Sequence, residues 1–121
     1  MKPTVIIVDD EKDIREAFKK TLQVKGFNVI TASSGEECLT LLKKQKVDLI
    51  LLDLLMPEMD GVKTLQNIRE INKEVKVVIV TAVDKEDVRE KTMGLGVEGY
   101  LVKPAGKQDL ADMVTYVLSE I

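Results

Sequence analysis

Five polar side chains stand directly after runs of aliphatic residues. Asp9 and Asp10 follow TVIIV, Asp53 follows LILL, Thr81 follows VVIV and Lys103 follows YLV. Three carboxylates gathered at one place repel each other, and loss of water adds to the cost. A hard divalent cation offsets both penalties. Magnesium suits such a set, because it takes oxygen ligands, uses few protein groups and keeps positions for water and phosphate oxygens. Lys103 adds a point charge able to pair with an acid or with a phosphoryl oxygen. Thr81 adds one hydroxyl donor. A carboxylate beside a metal can act as a nucleophile and carry a phosphoryl group as an acyl phosphate. Metal and lysine together then neutralise charge on the transferring oxygens, which is most of what that chemistry requires.

Each residue also has an ordinary structural role. A strand-end Asp commonly sets an Asx-turn, and an acid pair commonly opens a helix. A Thr after a strand is usually a cap, and a Lys near the surface is usually solvated. The signal lies in their coincidence at the ends of four strands.

Several chemistries are excluded. The chain has no histidine, so His triads, His metal sites and phosphohistidine are absent together. Its single cysteine, Cys38, cannot form an internal disulfide. That fits a reducing cytoplasm and a buried small hydrophobe on a helix. A formal charge of -3 argues against direct binding to nucleic acid. No apolar run is long enough to cross a membrane, and MKPTVIIVDD reads as a strand, not a signal peptide. At 121 residues and 45% hydrophobic, the chain can bury one core.

The elements that must position the polar set alternate regularly. Strands are expected over TVIIV (4–8), FNVITA (27–32), VDLILLD (47–53), VKVVIVTA (75–82) and GYLVK (99–103). Between them, apolar residues recur at spacings of three and four: Ile14, Ala17, Phe18, Thr21 and Leu22 in the first helix, and Val62, Leu65 and Ile68 in the third. Gly26 ends the first helix. Ser34 and Glu37 form a capping-box pair for the second, and LKKQK (42–46) is its solvated end. Gly61 opens the third helix and Asp84 is expected to cap the fourth. Leu110, Val114, Val117 and Ile121 mark the fifth. Met56 and Met59 flank Pro57 and are expected to pack the loop after Asp53. Five βα units in series imply an α/β fold with a parallel sheet covered on both faces. In such sheets ligands bind beyond the carboxyl ends of the strands, where the five polar residues gather.

These motifs, VIIVDDE, LILLDLLMPEMDG, VIVTA and GYLVKP in this order and spacing, resemble the receiver domain of two-component response regulators across residues 1–121. The resemblance implies a flavodoxin-like (βα)5 three-layer sandwich with sheet order 2-1-3-4-5. It implies Asp53 as phosphoacceptor and Mg2+ as cofactor, held by Asp10, Asp53 and the backbone carbonyl of Leu55, with Asp9 acting through water. Lys103 would contact the phosphoryl group and Thr81 would bond to it. Tyr100 would swing inward as Thr81 moves, and the Lys103–Pro104 bond would be cis. The moving unit would be the fourth helix, fifth strand and fifth helix, with the three glycines of MGLGVEG (93–99) loosening their junction. Leu55 and Val83 are apolar where the family is often polar, which bears on phosphoryl lifetime. Ala105 and Gly106 imply a looser entry to the last helix, and Val97 replaces a smaller alanine. The implied activity is a signalling switch that catalyses its own phosphorylation and dephosphorylation, rather than an enzyme. Its partners would be a sensor histidine kinase and a downstream protein or output domain, with homodimerisation on phosphorylation an open question. Since the sequence stops after the fifth helix, it suits a stand-alone regulator or a receiver cut from a longer chain. The alternatives are a pseudo-receiver docking module that takes no phosphate, and an aspartyl-nucleophile phosphohydrolase. The second lacks an acid at Leu55.

Overall fold

A computed structural model describes residues 2–56 and 60–119. The expectations for Met59 and Ile121 lie outside the described residues. The elements run β1 (Thr4–Val8), α1 (Lys12–Val24), β2 (Asn28–Ala32), α2 (Gly35–Lys44), β3 (Leu49–Leu52), α3 (Gly61–Ile71), β4 (Lys76–Thr81), α4 (Glu86–Gly94), β5 (Gly99–Val102) and α5 (Lys107–Leu118). The strands form one parallel sheet in the order β2-β1-β3-β4-β5, as the resemblance implied.

The continuous apolar strands follow from burial on both faces. Alternate residues of one strand enter different cores. Ile6, Val8, Ile50, Leu52, Val77 and Ile79 join Cys38 and Leu42 of α2 and Leu65 and Ile68 of α3. Val5, Ile7, Leu49, Leu51, Val78 and Val80 join Phe18 and Leu22 of α1 and Leu110, Val114 and Val117 of α5. The period-two side-chain alternation of a strand thus feeds two helix layers at once. Within the sheet Val8 is level with both Ala32 and Leu52, and Leu52 is level with Ile79. The residues that follow β1 and β3, Asp9 and Asp53, therefore leave the sheet side by side.

Local caps set where each helix begins and ends. Gly26 adopts φ 97 after α1, and its amide and that of Phe27 donate to Gln23 and Leu22 at 3.0 and 3.1 Å, a left-handed glycine cap. Ser34 Oγ accepts from the Glu37 amide at 3.2 Å, while Glu37 Oε1 accepts from the Ser33 amide at 2.7 Å. The reciprocal half of the capping box thus falls one residue earlier than the usual form. Asp60 caps α3 through the Val62 amide at 2.9 Å.

One expectation needs correction. Asp84 does not cap α4; the N-cap is Lys85, without a side-chain bond. The Asp84 carboxylate instead faces Arg89 at 3.5 Å, drawn by charge rather than by the helix amides. Of the three glycines of MGLGVEG, Gly94 is the last residue of α4 and Gly99 the first of β5. Gly96 takes φ 84 as a helix-ending turn, and a Cβ on Gly99 would meet Met113 Sδ at 2.8 Å. The N-cap of α5 is Gly106, which makes no side-chain cap bond.

Candidate functional site

The site is built from strand ends. Asp9 is 2% exposed and Asp53 is 4% exposed, whereas Asp10 is an exposed residue. The backbone amide of Asp9 donates to Ala32 at 3.1 Å and that of Asp53 donates to Val8 at 3.1 Å, so both acids leave a rigid ladder. Each then folds back on its own loop. Asp9 Oδ1 accepts from the Glu11 amide at 2.9 Å, and Asp53 Oδ1 accepts from the Leu55 amide at 3.0 Å. The remaining oxygens face Lys103, whose Nζ donates to Asp9 Oδ2 at 2.6 Å and Asp53 Oδ2 at 2.8 Å. Carboxylate oxygens of Asp9, Asp10 and Asp53 lie within 4.8 Å of one another.

Electrostatics explains why this arrangement holds. Burial, the largest single influence on Lys103, disfavours its ammonium. Hydrogen bonds and charges from Asp53 and Asp9 together outweigh burial and raise its pKa above the ordinary lysine value. Three carboxylates against one ammonium still leave an excess of negative charge. An all-oxygen donor set of this kind fits a hard divalent cation.

The expected residues do not all converge equally. Thr81 is fully buried, and its hydroxyl accepts from the Val83 amide at 3.4 Å. Its carbonyl accepts from the Lys103 amide at 2.8 Å, which ties β4 to the segment that carries the lysine. The Lys103–Pro104 peptide is cis. The Leu55 side chain is 56% exposed. Tyr100 is half-buried, and its hydroxyl donates to the Val83 carbonyl at 2.6 Å. The tyrosine is thereby tied to the loop that follows Thr81. Burial raises its pKa, with Arg89 opposing and Asp84 and Asp53 adding to the rise. Arg89 lies over the ring, 4.4 Å from its centroid.

Sequence reasoning missed Arg15 and the tight requirement at Gly61. Arg15 Nη1 donates to the Asp9 carbonyl at 2.8 Å and holds the strand end from the first turns of α1. A Cβ on Gly61 would lie 2.3 Å from Leu54 Cα, so the loop after Asp53 closes against the start of α3. Nothing in the periodicity marks the arginine. The glycine was visible as a helix opening but not as a close approach.

A doubly covered parallel sheet in this strand order, with an acidic carboxyl edge and a lysine laid across it, defines a flavodoxin-like fold with a candidate cation site. The chain belongs to the response regulator receiver domain family, whose model matches residues 5–115. It is 38% identical over 119 residues to a probable transcriptional regulator, ycf27, of Guillardia theta, covering 97% of this chain and 46% of that protein. The chain spans about half the length of the curated relatives it matches. A CheY-like receiver domain from Methanospirillum hungatei superposes with TM-score 0.95 at 25% identity, covering 99% of this chain and 96% of that one. The structure of a CheX–CheY–BeF3–Mg+2 complex from Borrelia burgdorferi matches with TM-score 0.91 at 32% identity, over 96% and 89% of the two chains. These residues are therefore a receiver domain of two-component signalling. Among the described residues no helix is long and apolar enough to cross a membrane.

Proposed function

We propose that residues 1–121 form one receiver that takes a phosphoryl group onto Asp53 from a histidine kinase and passes the change to a partner or output domain. The carrying observation is the closeness of the Asp9, Asp10 and Asp53 carboxylates, with Lys103 bridging two of them. Asp10, Asp53 and the Leu55 carbonyl would hold Mg2+, with Asp9 acting through water. When bound, the ion supplies positive charge against the phosphoryl oxygens.

Every other step falls to the chain. An Asp53 carboxylate oxygen forms the new bond to phosphorus while the bond from phosphorus to the donor imidazole nitrogen breaks, and the imidazole leaves with the electron pair. Both Asp53 oxygens already accept a hydrogen bond, so neither waits free. The Leu55 amide holds Oδ1 and fixes the carboxylate plane. Lys103 releases Oδ2 and follows the incoming phosphoryl oxygens, a short movement for a flexible ammonium. Thr81 then donates its hydroxyl to the phosphoryl group and draws the Val83 segment after it. Tyr100, bonded to the Val83 carbonyl, carries that displacement into β5 and α4. An added charge of about -1.5 to -2 is large enough to shift such a balance.

Incubation with acetyl phosphate and magnesium tests the reading. The expected result is one phosphoryl mass increment, lost without metal and lost in Asp53→Asn. No increment in the wild-type chain would leave a docking module. Repeated turnover of a small phosphate ester would instead favour a phosphohydrolase.

A further inference from the structure

At the edge of the sheet opposite the acids, a second cation is tied as tightly as Lys103. Arg69, in the last turn of α3, donates from Nε to the Leu95 carbonyl at 3.0 Å and from Nη2 to the Gly96 carbonyl at 2.7 Å. Its Nη1 donates to the Val75 carbonyl at 2.6 Å and to the Asn72 carbonyl at 3.4 Å. One guanidinium thus joins three segments: the end of α3, the entry to β4 and the turn between α4 and β5. Asn72 supports the same knot, since its Oδ1 accepts from the Glu74 and Val75 amides at 2.8 and 2.9 Å. The Leu95 and Gly96 carbonyls end α4, where the helix dipole favours a cation. The planar fork of arginine meets them from two separate nitrogens, whereas a lysine would have to reach both from a single one.

We infer that Arg69 is a positioning residue for the switch, a fixed fulcrum at the α4–β5 turn about which α4 and the Tyr100 strand respond. The inference rests on the phosphoacceptor reading for its meaning and on the hydrogen bonds alone for its geometry. At the carboxyl edge, Tyr100 holds the Val83 segment through a single hydroxyl bond. At the other end of the same elements, Arg69 makes two bonds to the α4–β5 turn, at Leu95 and Gly96, and two more, to Asn72 and Val75, fix the guanidinium to the α3–β4 segment. A pull at the weak end therefore pivots α4 and β5 about the strong end. With the fulcrum removed, the same pull would be spent on moving the α4–β5 turn, and less would reach the outer surface.

Hydrogen exchange of the full chain, before any phosphorylation, reads the anchor directly. Arg69→Gln should speed exchange of the Gly96, Val97 and Glu98 amides about tenfold or more beyond any change in β1 and β3. Arg69→Lys should fall between. Val117→Ala, a core variant on the opposite face, should speed exchange across the sheet without singling out that turn. Beryllofluoride with magnesium then reads transmission through the Tyr100 ring signals. Arg69→Gln should at least halve their response, by about the loss expected for a broken local anchor, while acetyl phosphate still gives the Asp53 mass increment. Exchange at the turn rising only in step with β1 and β3 would overturn the inference, as would an intact Tyr100 response in Arg69→Gln. A wild-type chain that accepts no phosphoryl group would sink the phosphoacceptor reading alone, and the exchange comparison would still decide the anchor.

Discussion

Lys103 and Arg69 occupy opposite edges of the same sheet and are both held by several oxygens. Their partners differ in kind. Lys103 meets two carboxylates, for which, in the proposed function, a divalent cation would compete. Arg69 meets neutral backbone carbonyls, with the charge of Glu98 acting on it from nearby. An ammonium is a compact point charge that can be redirected, whereas a guanidinium fork is specified by the directions of several acceptors at once. One edge is thus built for exchange of partners and the other for permanence. A switch needs both, since motion at one end counts only relative to an end that stays.

Removal of the exchangeable cation should have the largest effect. Lys103→Met leaves two buried carboxylates facing each other, and breaking a buried pair in this way costs about 3–5 kcal/mol. Urea unfolding should show that loss without divalent ions and a partial recovery with millimolar magnesium. The loss in Arg69→Met should not respond to magnesium. Equal responses of the two variants would erase the contrast between the edges.

Gly61→Ala should be next in size. Its methyl would press on the Leu54 backbone, and overpacking of this sort costs about 1–3 kcal/mol. The damage belongs to the exchangeable edge, so calorimetric magnesium affinity should fall while exchange at Gly96–Glu98 stays unchanged. A variant of wild-type affinity would show that the loop after Asp53 does not depend on that approach.

A third group, the Cys38 thiol, sharpens the contrast because it is fully buried in an apolar core. Burial alone pushes the Cys38 thiol up from 9.0 to about 12. The folded state keeps its proton where the unfolded chain has lost it. The stability this contributes is complete below pH 9.0 and drains away as pH rises toward about 12. Between those limits stability should fall by about 1.4 kcal/mol per pH unit from this group. Cys38→Ala should remove that part of the slope in denaturant titrations from pH 8.5 to 10.5, chosen to span roughly the unfolded thiol's titration. An unaltered slope would place the alkaline loss elsewhere.

Much of this architecture was legible in the residues themselves. Alternation of β-branched runs with helical spacings gave the element order, and apolar residues throughout β3 and β4 implied cover on both faces. The polar residues that end those runs had to reach the carboxyl edge, because a parallel strand can end nowhere else. Asp84 misled because an acid before a helix resembles a cap whether or not its carboxylate turns back. Arg69 was invisible because its acceptors are carbonyls, which every residue carries, and two of them lie 26 and 27 positions away.

The amino-acid sequence by itself determined which side chains could meet, since strand ends and side-chain period follow from local pattern. Only the tertiary structure decided which atoms do meet. Lys103 spans Asp9 and Asp53 rather than one of them, Tyr100 holds Val83, and Arg69 closes three segments together. Those choices depend on distances between chain segments far apart in sequence, and packing sets such distances where local propensity cannot.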